Sequence, residues 1–366
     1  MPVLHYASRS VAAAALLLFA AGCSGDSTAP NAPFDPSGTS ADVAAIDESF
    51  DAPALDAYSA ASAEISLVMG GAISAAVRAA PTAAIANTGK AGALRYAASL
   101  ARIYTGGGLR PSFSTAAASI PAEYVGVTFV YDVDTDTYVA SELSGAPSTG
   151  VRFLLYAVNP VTSLPIEPLV EIGYADFTVT ETASSATARA IVVSGGVTYL
   201  DYTVSLSGGT SSLSLDITGY ATNGTDRVNF NLGTGLTGTE AQGAAIAIDY
   251  LLTLPTRGGF RMEIEAGTSG IFTATTVTTL DLTARGDHGT VNISGSETNG
   301  VGSFDVDVNG DLFATITVTG DAPPTLVGAD GQPLSEAEQD AMWAIWYMFA
   351  QGFDFFEDLT DPVTVG

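Results

Sequence analysis

The chain is predicted to be mainly β: a long antiparallel meander of about 10–14 strands, curled into a barrel-like or half-barrel sheet with helices covering it. Three observations predict this. The first is alternation. Leu200, Tyr202, Val204 and Leu206 are apolar while Asp201, Thr203 and Ser205 are polar, and the same two-residue period returns in Leu213–Thr218, Arg227–Leu232, Phe260–Glu265 and Phe304–Val308. The second is turn chemistry: Gly195-Gly196, Asn223-Gly224, Gly258-Gly259, Asn299-Gly300 and Asn309-Gly310 separate these runs, and Gly and Asn accept the positive φ of tight hairpins. The third is that no gap in this stretch has room for a crossover helix, so neighbouring strands are expected to pair up and down. An open sheet of this size has one apolar face to cover, and it curls, splits or takes helices on its concave side.

In chain order, residues 1–22 read as a secretory leader. Arg9 precedes the apolar run Val11–Ala21, which is too short for a stable span. Ala20-Ala21-Gly22-Cys23 closes it. This resembles the signal peptide and lipobox of bacterial lipoproteins, with Ala20 where that family usually has Leu, Val or Ile. The resemblance implies that Cys23 is diacylated and becomes the first mature residue. It also implies that the chain is tethered to the bacterial cell envelope and, since Ser24 rather than Asp follows, to the outer membrane. Two acyl chains suffice for stable anchoring. Cys23 is the single cysteine, which excludes an intramolecular disulfide and thiolate metal sites.

Residues 23–49, rich in Ser, Ala, Pro, Asp and Thr, read as a flexible tether. Residues 50–366 read as one β-rich domain. Helices are expected within about 53–104, in Pro53–Ala80 and Ala91–Tyr104, packed on the sheet. The meander is expected over about 124–319. Val151–Val158 is nearly continuous apolar sequence, as for a strand covered on both sides, and Leu169–Val179 reads as the next strand.

A helix is expected at about 335–351. Ser335 and Glu338 have capping-box spacing, and the run from Ala341 is apolar on every side, which predicts a helix buried on every side. It reads as a lid on the apolar face. Met342, Trp343, Ile345, Trp346, Phe349 and Phe353 are the candidate lining of a pocket for an apolar or lipid-like ligand. The plainer reading is a helix that fills the core completely.

Composition narrows the function. Lys and Arg total 12 against 39 Asp and Glu, a net charge of −27, and no basic residue follows Arg285. Nucleic-acid binding needs a cationic face, so it is excluded. His288 is the only histidine after the leader, no Gly-x-Ser-x-Gly elbow accompanies it, and it reads as a solvated turn residue. Gly233-x-Gly235-x-x-Gly238 matches a dinucleotide fingerprint by letters but sits in a meander and opens no helix, so no such cofactor is expected. Asp132, Asp134 and Asp136, and Asp305 and Asp307, place oxygen ligands at alternate positions and are the candidate Ca²⁺ ligands. Neither group is an EF-hand, since Leu143 and Ile316 fall where the terminal Glu belongs.

The first functional expectation is a non-enzymatic, membrane-tethered envelope lipoprotein with an apolar or lipid-like ligand between sheet and helices. The alternatives are a structural or surface-interaction module with a filled core and a calcium-dependent hydrolase. A transmembrane β-barrel would need its apolar parity to face lipid and aromatic girdles, which the sequence lacks.

Overall fold

The computed structural model describes residues 33–68, 120–182, 185–208, 212–239, 243–271, 273–320 and 322–348. Two helices lead: α1 (Pro36–Glu48) and α2 (Pro53–Val68). The strands are β1 (Thr128–Asp132), β2 (Thr137–Ser141), β3 (Gly150–Tyr156), β4 (Glu171–Glu181), β5 (Ser185–Ser194), β6 (Val197–Gly208), β7 (Ser212–Thr222) and β8 (Arg227–Thr239). They continue as β9 (Gly243–Leu254), β10 (Phe260–Ile271), β11 (Val277–Gly286), β12 (Gly289–Thr298), β13 (Val301–Val308), β14 (Asp311–Thr319) and β15 (Thr325–Gly328). A third helix, α3, covers 336–348.

All fifteen strands form one curled sheet in the order β15-β14-β13 and so on down to β3-β1-β2. It does not close: β2 and β15 are its two edges. From β3 to β15 each strand pairs antiparallel with the next, as the alternation and turns predict. The exception is β1, which pairs parallel with β3, so the sheet is mixed rather than wholly antiparallel. The reason lies in the 142–149 connection, which steps over β1 to put β3 on the far side of the β1–β2 hairpin. A strand-to-strand step is only about 4.8 Å, so eight residues span it easily. The strand count exceeds the expected range because the short strands β1, β2 and β15 give too little periodicity to read.

Antiparallel order divides the turns between two rims. The near rim carries the β1–β2, β3–β4, β5–β6, β7–β8, β9–β10, β11–β12 and β13–β14 connections, and the far rim carries the others. At Asn309-Gly310, φ values of 54° and 94° provide the left-handed pair that the hairpin needs.

The inward parity is mostly apolar. Leu200, Tyr202, Val204 and Leu206 on β6, and Phe260, Met262 and Ile264 on β10, are all buried. Both parities of β3 are covered: Val151, Phe153 and Leu155 are fully buried, and Leu154 and Tyr156 are only 9% exposed. Helix α2 lies on the inner face of β2–β6. There Tyr58 stacks on Phe177, which meets Phe153 edge-on, and Phe153 stacks on Phe129 at 4.9 Å. Each such side chain contributes about 1.5–3 kcal/mol when buried.

Helix α1 corrects the reading of 23–49 as a flexible tether, since residues 36–48 of it are helical. Asp35 caps it, accepting hydrogen bonds from the amides of Ser37 and Gly38 at 3.1 Å, and Pro36 stands at the first helical position. The helix survives a polar composition because Val43, Ala45 and Ile46 are buried against the sheet. It lies along the near rim. Asp35 N donates to His288 O at 3.0 Å, Phe34 meets Phe313 edge-on, and at the other end Asn223 Nδ2 donates to Glu48 O at 2.8 Å. It therefore forms a base across the β7–β14 half of that rim. The expected helix at 91–104, and the stretch of Pro53–Ala80 beyond Val68, lie outside the described residues.

Candidate functional site

The inner face is the first candidate, and its polar groups are few. Tyr58 and Tyr202 share a hydrogen bond between their hydroxyls at 2.7 Å. Burial pushes the Tyr58 phenol well up, and the Tyr202 hydroxyl adds to the shift. Burial also pushes up Tyr250, with the charge of Asp47 adding to it. Nearer the far rim one transverse row reads Leu236, Ile246, Thr268, Thr278, Glu297 and Gly302 on successive strands. Thr268 and Thr278 face each other at 3.4 Å, and Glu297 is only 4% exposed. One step toward the middle, Thr234 is 4% exposed and its hydroxyl has no hydrogen-bond partner. Alternation alone assigns Thr234, Thr268 and Glu297 to the inner parity, but they carry no signal as a site because they are far apart in the chain and include a single carboxylate.

The candidate lid residues divide. Ser335 and Glu338 cap α3 reciprocally: the Ser335 amide and hydroxyl donate to Glu338 Oε2 at 2.8 and 2.6 Å. Met342, Ile345 and Trp346 are buried, with Trp346 edge-on to Phe304 at 5.3 Å. Trp343 is half-buried and stacks on Tyr347, which is 41% exposed. The helix is therefore buried on one side, not on all sides, because only residues spaced three or four apart can face one sheet. Phe349, Phe353 and Cys23 lie outside the described residues.

The near rim holds a polar cluster. His288 Nδ1 lies 3.3 Å from Asp35 and its Nε2 lies 3.8 Å from Asp42. The histidine expected in a solvated turn is thus a clasp between the sheet and α1, which a sequence cannot reveal because the two carboxylates lie some 250 residues upstream. Burial raises the Asp42 carboxyl above its ordinary range, although His288 pulls it down. Beside it, Asp226 accepts two hydrogen bonds from Arg257 and one from Thr256, and the Arg257 pairing holds its carboxyl below the usual range. Among the described residues no serine or threonine hydroxyl bonds to His288.

The outer face carries an acidic row. Asp216, Gly233, Asp249, Glu265, Asp281, Ser294 and Asp305 stand opposite one another on successive strands from β7 to β13. Its β7–β11 part, with Asn231, Glu263 and Thr283, lines a shallow open depression of about 510 Å³. Outward acids are the reverse of a lipid-facing barrel wall. Among the described residues no helix is long and apolar enough to cross a membrane.

The two Asp groups are not brought together. Asp132, Asp134 and Asp136 form the β1–β2 hairpin end, where Asp132 accepts from the Asp134 amide at 3.0 Å and Asp136 accepts from the Tyr131 hydroxyl. Asp305 and Asp307 stand on β13, with the strands from β12 to β3 between them and β1. Among the described residues, no three His, Cys, Asp or Glu side chains converge as a metal site. Asp305 and Asp307 instead continue the outer polar face. Compared with protein-family models, with curated proteins and with solved structures, the chain gives no match.

Proposed function

We propose that this chain is a lipoprotein of the bacterial cell envelope, tethered to the outer membrane through a diacylated Cys23, and that it binds an apolar or lipid-like ligand between the curled sheet and its helices without catalysing a reaction. One observation carries the binding reading: among the described residues, the largely apolar inner face of an open sheet is covered by separate helices, not by a second sheet. In this reading α1 is the floor, α2 a wall, and α3 a lid that presents Met342, Ile345 and Trp346. The buried hydroxyls of Thr234 and Thr268, with Glu297, supply the few polar contacts by which an apolar site fixes a ligand's polar end.

Native mass spectrometry of the full mature chain, followed by lipid extraction, tests this. A bound mass that leaves on extraction, together with a change in Trp346 fluorescence, is the expected result. A single ligand-free mass from envelope-purified protein overturns the binding reading. It would favour the alternative of a structural or surface-interaction module with a filled core.

A further inference from the structure

Of the twelve large apolar side chains most exposed to water among the described residues, six stand together at one place: Val133, Val161, Leu164, Ile166, Val170 and Val197. They occupy the β1–β2, β3–β4 and β5–β6 connections, including the first residue of β6, three consecutive turns of the near rim. This is the half of that rim that α1 leaves bare. Val161 is 68% exposed, Leu164 and Val170 each 52%.

The exposure is built into the fold. The 157–170 connection is a hydrogen-bonded extension of the β3–β4 hairpin: Ala157 N donates to Val170 O, Ile166 N to Ala157 O and Asn159 N to Leu164 O, all at 2.8–2.9 Å. Val158 and Pro165 bridge within it, and the Asn159 side chain accepts from the Val161 amide at 2.8 Å. Such a tip holds its apolar side chains outward instead of folding them inward. Apolar groups clustered this way mark a contact surface.

Where the chain enters the fold identifies the contact. Phe34 and Asp35 dock on this same rim, against Phe313 and His288. Cys23 precedes Pro33 by ten residues, which reach at most about 35 Å when extended. A lipid on Cys23 therefore holds the near rim closer to the bilayer than the far one, which lies a strand length of about 40 Å beyond it. The charges nearby are Asp132, Asp134, Asp136, Glu167 and Glu171, and the tip itself contains no Lys or Arg. Attraction to anionic headgroups is absent, so the matching surface is zwitterionic and the binding is apolar.

We propose that the near rim faces the membrane and that the β1–β2, β3–β4 and β5–β6 tips seat in the headgroup region of a zwitterionic bilayer. This rests on the reading of Cys23 as the anchor. The full mature chain, acylated at Cys23, keeps no free thiol, so Val161→Cys or Val301→Cys can carry a polarity-sensitive fluorophore at the near or the far rim. Val301 is the control, 57% exposed at the β12–β13 turn. In phosphatidylcholine vesicles containing nitroxide lipids, the label at 161 is expected to shift blue and to be quenched several-fold more than the label at 301. Leu164→Ser with Ile166→Ser should remove most of that difference while the urea midpoint stays in place. Equal quenching at the two positions, or quenching at 161 unmoved by the double serine variant, overturns the proposal. Palmitate incorporation at Cys23 is read separately. If it is absent, the anchor reading fails, and the same comparison of the two labels in a Cys23→Ser background, with vesicles added from outside, still decides the rim proposal.

Discussion

The near rim is two different surfaces. Over β7–β14 its turns are mainly polar, the exposed Leu312 apart: Asn223, Asp226, Arg257 and His288 all make hydrogen bonds or ion pairs, and Asn223 and His288 do so with α1 directly. Over β1–β6 its turns end in valine, leucine and isoleucine, and no described helix crosses them. The inner faces are alike in being apolar, so the difference lies in how each turn is covered. A turn that docks a helix end must satisfy that helix's unpaired backbone groups, and polar side chains do so. A turn that meets an apolar surface has no such groups to satisfy. One rim can thus serve both as a helix seat and as a contact face.

The largest test of this comparison is Ile46→Ala. Ile46 is 2% exposed beneath α1, so the change should cost about 2–5 kcal/mol in urea unfolding. A cost under about 1 kcal/mol would mean that α1 is not a structural base. Next is Tyr202→Phe, which probes the grip of α2 behind the bare half. It strands the Tyr58 hydroxyl without its 2.7 Å partner and should cost about 1–3 kcal/mol, most of it recovered when Tyr58→Phe is added. Lack of recovery would show that packing, not the hydroxyl pair, sets the effect.

A smaller effect is expected from Asp42→Asn. Burial raises the folded-state pKa of Asp42, so the charged form is the one the fold disfavours. Its contribution is fully present below about pH 4, the ordinary carboxyl range, and fades as pH rises through the raised value. The variant should therefore match the parent near pH 4 and melt higher at pH 7. A lower melting point at pH 7 would mean that attraction to His288 outweighs the cost of burying the charge. Smallest is Ile166→Ser in the bare half, expected to stay within about 0.5 kcal/mol. A larger loss would mean that the tip packs on the fold.

Much of this architecture is legible in the sequence. Alternation assigns Leu200, Tyr202, Phe260, Phe304 and their neighbours to the inner face, and Gly and Asn pairs place most hairpins, because both signals are local. Helix α1 is hidden because the Asp35-Pro36 start sits among Ser, Ala and Pro, and its short apolar set, Val43, Ala45 and Ile46, is too sparse for a clear helical period. The parallel β1–β3 pairing is hidden because loop length permits several neighbours. The His288 clasp, the acidic outer row and the clustering of Val133 with Val161 and Val197 depend on register across many strands. No window along the chain contains them. The aromatic run from Met342 is legible as a helix, but its one-sided burial is not, since an apolar sequence does not say which of its faces finds a partner.

The base helix also sets an order of assembly. Strands from β4 onward can zip onto the preceding strand as each arrives, but α1, which lies before them in the chain, lacks its full seat until the β13–β14 turn and Phe313 exist. Docking that joins segments so far apart in the chain is slow. The base therefore latches only after β14 has joined the sheet.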